Sequence, residues 1–134
     1  MKDFVTYEQA LELAKLNFNE KCFGYYGLEN ELYIEISCNL DSNLTRRNFI
    51  AAPLYQQAFR WFREKYNIQG YIYSSTVRGN SEKTKQFTGY IWNINGIDMP
   101  FLSTDARDEL HDTYEEAELG CLIKLIEIVK TKQL

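Results

Sequence analysis

The sequence predicts a single α+β domain: a mostly antiparallel sheet of four to five strands with three helices, in the order α-β-β-α-β-β-(β)-α. Three observations carry this. Leu32, Ile34, Ile36 and Cys38 alternate with Tyr33, Glu35 and Ser37, the period of two of a half-buried strand. Apolar residues recur at helical spacing near both ends and in the middle of the chain. Turn signals join neighbouring strand candidates directly, and helical stretches separate the strand pairs. With 134 residues the chain matches one domain, long enough to bury a core without staples.

Thr6 and Gln9 have capping-box spacing, and Ala10, Leu13, Ala14 and Phe18 follow as a stripe, predicting a first helix over residues 7–17. Residues 22–26 read as a short strand. Gly27 to Asn30 supplies a turn into the alternating strand over 31–38, so the two form a hairpin. Residues 39–48 are polar and read as a loop. Pro53 suits a first helical turn, and a helix follows over 54–66 with a broad apolar arc. Residues 71–77 and 87–94, rich in aromatic and β-branched side chains, read as strands around the polar stretch 78–86. Asn95-Gly96 is a tight-turn signal leading to a fifth strand over 97–101, which Pro100 places at an edge. Thr113 and Glu116 form a second capping box, and Leu119, Leu122, Ile123, Ile126 and Val129 make the last helix, to about residue 130.

Composition excludes several functions. One histidine rules out zinc sites that need two or more, so no metal and no cofactor is expected. No apolar run approaches the ~20 residues of a membrane span. A net charge of −4 argues against a general nucleic-acid coat. The start Met1-Lys2-Asp3-Phe4 has no apolar signal region, and the odd set Cys22, Cys38 and Cys121 lacks metal spacing, so a reducing cytoplasm is expected. No phosphate-binding loop, dinucleotide fingerprint, nucleophile elbow or zinc-protease motif occurs. His111 reads as an exposed connector residue. A cysteine nucleophile using it, or an enzyme pocket joining Glu35, His111 and Cys38, needs groups that are distant in sequence.

Three surfaces remain. The stretch from Asp98 to Glu118 holds eight carboxylates and one arginine, and Asp105, Asp108, Glu109 and Asp112 are its candidate surface for a basic protein partner. A solvated connector favouring the N-terminus of the last helix explains the same acids. Arg46, Arg47, Arg60, Arg63 and Lys65, against Glu64, net +4. Arg60 and Arg63 share a helix face, and with Tyr55 nearby they form a candidate phosphate and ring site. An ordinary amphipathic helix accounts for them equally. Tyr71 and Tyr73 share a strand face, the third candidate, suited either to ligand stacking or to a subunit contact.

The stretch Ala52-Pro53-Leu54-Tyr55-Gln56-Gln57-Ala58-Phe59-Arg60-Trp61-Phe62-Arg63-Glu64-Lys65-Tyr66 is quite specific. With Thr113-Tyr114-Glu115-Glu116-Ala117-Glu118 leading into Leu122 to Lys130, it resembles a group of small uncharacterised proteins of phages and mobile elements in gut Bacteroidota. The openings Thr6-Tyr7-Glu8-Gln9-Ala10 and Cys22-Phe23-Gly24-Tyr25-Tyr26 are similar too, and together these stretches cover under half of the chain. The resemblance implies a phage or prophage accessory product in the host cytoplasm, with no activity or catalytic residues to transfer. The expected function is a non-enzymatic binder that counters host defence, by binding a host protein through a surface or by sequestering a nucleotide signal, the latter as a homo-oligomer. The alternatives are a small nucleic-acid-binding module and a nucleotide-directed enzyme.

Overall fold

A computed structural model describes residues 3–34, 49–77, 87–96, 99–103 and 110–132. The fold is α+β. Among the described residues, in chain order, it comprises α1 (Tyr7–Lys15), β1 (Gly24–Tyr26), β2 (Leu32–Ile34), β3 (Ile50–Ala52), α2 (Tyr55–Tyr66), β4 (Ile68–Val77), β5 (Phe87–Gly96), β6 (Met99–Ser103) and α3 (Tyr114–Lys132). The strands form two antiparallel sheets of three, ordered β2-β1-β3 and β4-β5-β6, where the sequence predicts one. The chain divides into two compact units, residues 1–58 with 126–134, and residues 59–125.

In the first unit, α1 ends earlier than its apolar stripe suggests. Asn17 takes a left-handed φ of 67°, which asparagine tolerates better than most side chains, and the helix stops. Thr6 is the N-cap residue, yet its hydroxyl makes no capping bond, so this capping box does not form. Lys130 pairs with Glu12 of α1, and Lys15 adds a 3.3 Å contact; the Lys130 bond does most to hold the Glu12 carboxyl below its usual range. The β1–β2 hairpin forms across the predicted turn, closed by Gly27 N–H donating to the Glu31 carbonyl at 2.9 Å and by a left-handed Asn30 at φ 64°. β3 has no clear period in its three residues, so sequence reading misses it; it pairs with the free side of β1. That leaves β2 at the edge, and Ile34, expected on a core face, is 43% exposed. The Tyr26 hydroxyl donates to the Val5 carbonyl at 2.6 Å inside the core.

In the second unit, Asn67 ends α2 in a left-handed conformation, φ 55°, with its N–H donating to the Arg63 carbonyl at 3.2 Å. The chain therefore turns straight from helix into β4, three residues before the aromatic run begins. β4 and β5 pair over ten residues, from Ile68↔Gly96 to Val77↔Phe87. Asn95-Gly96 is not the turn that its composition suggests. Both residues belong to β5, and Gly96 pairs with Met99 of β6. β6 lies at the sheet edge, as Pro100 requires. At the second capping box the Thr113 half forms, with Glu116 N–H donating to Thr113 Oγ1 at 3.1 Å, while Glu116 Oε2 accepts from Asp112 N–H at 3.2 Å, one residue before the N-cap.

One face of the β4–β5 pair carries Ile68, Gly70 and Ile72 beside Ile94 and Trp92. This face packs on α3. A side chain at Gly70 would place its Cβ 2.6 Å from the Cys121 sulfur and 3.1 Å from Leu125 Cδ1, so the absent side chain is what lets the helix approach. Gly70→Ala is expected to cost about 1–3 kcal/mol by overpacking. Combining it with Cys121→Ala should recover part of that loss, a coupling of about 1 kcal/mol in a denaturation double-mutant cycle.

Candidate functional site

The opposite face of the second sheet carries Gln69, Tyr71 and Tyr73 on β4, all exposed, across from Asn95, Asn93 and Ile91 on β5. The period of two puts these six on one side. Tyr71 and Tyr73 are 37% and 40% exposed, with rings 6.2 Å apart and tilted 30° from parallel. At the end of this face lies a shallow cleft of about 380 Å³ lined by Arg63, Asn67, Gln69, Asn95 and Gly96. The left-handed Asn67 turn brings the last turn of α2 beside the first residues of β4, and the Gln69↔Asn95 register adds the end of β5. Among the described residues, the lining holds one full positive charge, three side-chain amides and no carboxylate.

Asn93 is the unusual member of this face. It is 6% exposed, and its Oδ1 has no hydrogen-bond partner among the described residues. A buried carbonyl of this kind costs about 1–3 kcal/mol when left unpaired. It stands two residues from Asn95 on the same strand face and directly across from Tyr71.

The residues singled out from sequence separate as follows. Arg63 lines the cleft; Arg60, one turn earlier, is exposed but is not part of the lining. Tyr71 and Tyr73 lie on the neighbouring exposed face. Tyr55 is a correction: it is 5% exposed, because it falls on the apolar arc of α2, and it offers no ring face to a ligand. Asp112 is exposed, whereas Asp105, Asp108 and Glu109 lie outside the described residues, as do Arg46 and Arg47. Sequence reading missed Asn67, Gln69, Asn93 and Asn95; uncharged amides look like turn residues until the register places them together.

His111 corrects the expectation of an exposed connector. It exchanges two backbone hydrogen bonds of 2.9 Å with Tyr90, extending the β5 edge, and its imidazole rests on Gly120 beside the Trp92 indole. Among the described residues, no activated cysteine stands near it. Burial, with Glu118 adding repulsion, pushes the Cys121 thiol up to about 12, and burial, with Glu20, pushes Cys22 up to about 12. Both are thiols at neutral pH, and nucleophilic attack needs the thiolate. Iodoacetamide at pH 8 should leave Cys22 and Cys121 unmodified in the native protein and label both in denaturant, read by peptide mapping. Glu35 and Cys38 lie outside the described residues.

Among the described residues there is no group of three or more His, Cys, Asp or Glu side chains able to hold a metal ion. None of their helices is long and apolar enough to cross a membrane. No family model, no curated protein and no solved structure matches the chain.

Proposed function

We propose that the protein is a non-enzymatic binder that holds a nucleotide-type small molecule on the face of its second sheet that exposes Gln69, Tyr71 and Tyr73. The observation that carries this is the cleft of Arg63, Asn67, Gln69 and Asn95 beside the exposed Tyr71–Tyr73 pair. A guanidinium suits a phosphate, side-chain amides suit the donor and acceptor edge of a base, and tyrosine rings supply stacking faces. In the setting that the resemblance to phage and prophage proteins implies, the protein sequesters a nucleotide signal in the host cytoplasm.

Native mass spectrometry of the purified protein, followed by denaturing extraction, tests the reading together with titration of a mononucleotide panel. A retained nucleotide-sized mass, or saturable quenching of tyrosine and tryptophan fluorescence, is the expected result. Tyr71→Ala and Tyr73→Ala should each weaken binding about tenfold or more, since stacking contributes roughly 1–3 kcal/mol per base. No retained mass and no nucleotide response would sink the proposal.

One observation favours a second reading, a host protein as partner. In the first unit the β1–β2 hairpin exposes Phe23 at 54%, Leu28 at 71%, Tyr33 at 45% and Ile34 at 43%. Tyr33 and Ile34 lie on the edge strand β2, and apolar exposure there marks a contact surface. Capture of a host protein that Leu28→Asp with Ile34→Asp abolishes, while nucleotide titrations stay silent, would select this reading over the first.

A further inference from the structure

We infer that the site is selective for an amino-bearing purine nucleotide of the adenine type, with Asn93 as the residue that reads the amino group. The inference rests on the nucleotide reading above and narrows it. Its starting point is the buried Asn93 Oδ1, which has no partner among the described residues. An apolar side chain of similar size would remove that cost in the free protein. A bound N–H donor removes it as well, and only an asparagine-like group gains from that donor.

The surroundings specify the rest of the ligand. Tyr71, opposite Asn93, is partly exposed, and a planar ring stacking on it lies over the boundary between β4 and β5. Asn93 Oδ1 is covered in the free protein and Asn93 stands next to the cleft lining rather than in it, so this role requires that ligand binding uncover the atom. Two residues along each strand, Gln69 and Asn95 present amides that both donate and accept, the pairing that suits the adenine edge. Arg63 stands at the far end of this block, where the phosphate falls.

The charge balance argues against phosphate as the whole ligand. The cleft sits at the C-terminal end of α2, whose dipole carries the equivalent of about −0.5 charge, so the Arg63 charge is partly offset. Affinity then has to come jointly from ring and phosphate.

The test uses the intact chain and three probes: adenosine 5′-monophosphate, inosine 5′-monophosphate and adenosine, titrated by calorimetry. The inosine nucleotide replaces the amino group with a carbonyl, and adenosine lacks the phosphate. Adenosine monophosphate should bind about tenfold more tightly than either, the loss expected when one buried or charged hydrogen bond goes unmade. Arg63→Gln should erase the advantage over adenosine and keep the advantage over the inosine nucleotide. Asn93→Leu should erase the advantage over the inosine nucleotide while the melting temperature holds or rises; Asn93→Ser serves as the check if the leucine variant fails to fold. Equal affinity for the two nucleotides, or unchanged discrimination in a folded Asn93 variant, would overturn the role of Asn93 and leave the nucleotide reading standing. No binding of any of the three probes overturns both.

Discussion

Phe62→Ala is expected to lower the unfolding free energy by about 3–5 kcal/mol. Phe62 is fully buried on α2, with its ring edge-on to Trp61 at 5.1 Å and tilted against Tyr66 at 6.0 Å. Truncation removes the transfer energy of the ring and also leaves a cavity. Two aromatic neighbours held in their own packing cannot collapse to fill it. Natural domains have only about 5–15 kcal/mol to lose, so the variant should populate unfolded chains detectably at 37 °C. Its thermal midpoint should fall by about 10–20 °C, at roughly 3–5 °C per kcal/mol for a chain of this size. Exposed Arg60 on the same helix provides the contrast: Arg60→Ala should stay within about 0.5 kcal/mol of the parent. A comparable loss at both positions would mean that α2 does not bury the face described.

Gly89→Ala is expected to cost about 2–4 kcal/mol, an unusual effect for the addition of one methyl group. The added Cβ would stand 2.6 Å from the His111 carbonyl oxygen and 2.7 Å from Leu110 Cγ. The leucine could shift, but the carbonyl is backbone and is held by the 2.9 Å bond from Tyr90 N–H. Relief therefore requires the Leu110–His111 segment to leave the β5 edge, and both Tyr90–His111 hydrogen bonds go with it. Amide hydrogen exchange separates this from general destabilisation. Tyr90 and His111 amides should lose protection well before those of the Ile68↔Gly96 end of the same sheet. Uniform loss across the sheet would refute the local account.

The local elements were largely legible because their signals are local. The hairpin around Gly27 to Asn30, the cap at Thr113, the edge position of the Pro100 strand and the three helices each follow from residues within a few positions of one another. Elements that depend on a distant partner were not legible. β3 is three residues with no period of its own and exists because β1 offers an unpaired side. Asn95-Gly96 carries a turn composition, yet pairing with Ile68 and Gln69 draws it into β5. Tyr55 and Arg63 sit in one short amphipathic stretch, and helical rotation alone sends one into the core and the other onto the cleft.

The sequence by itself therefore determined the α+β class, the helices and most strands, since these depend on periodicity, capping and composition. The tertiary structure alone decided that the described strands form two sheets, that Gln69, Tyr71 and Tyr73 stay exposed on one face of the second, and that Arg63, Gln69 and Asn95 share a cleft near Asn93, whose Oδ1 has no partner among the described residues. The physical reason is register. Residues about thirty positions apart meet only once two strands pair, and amides have no pattern in sequence that announces such a meeting.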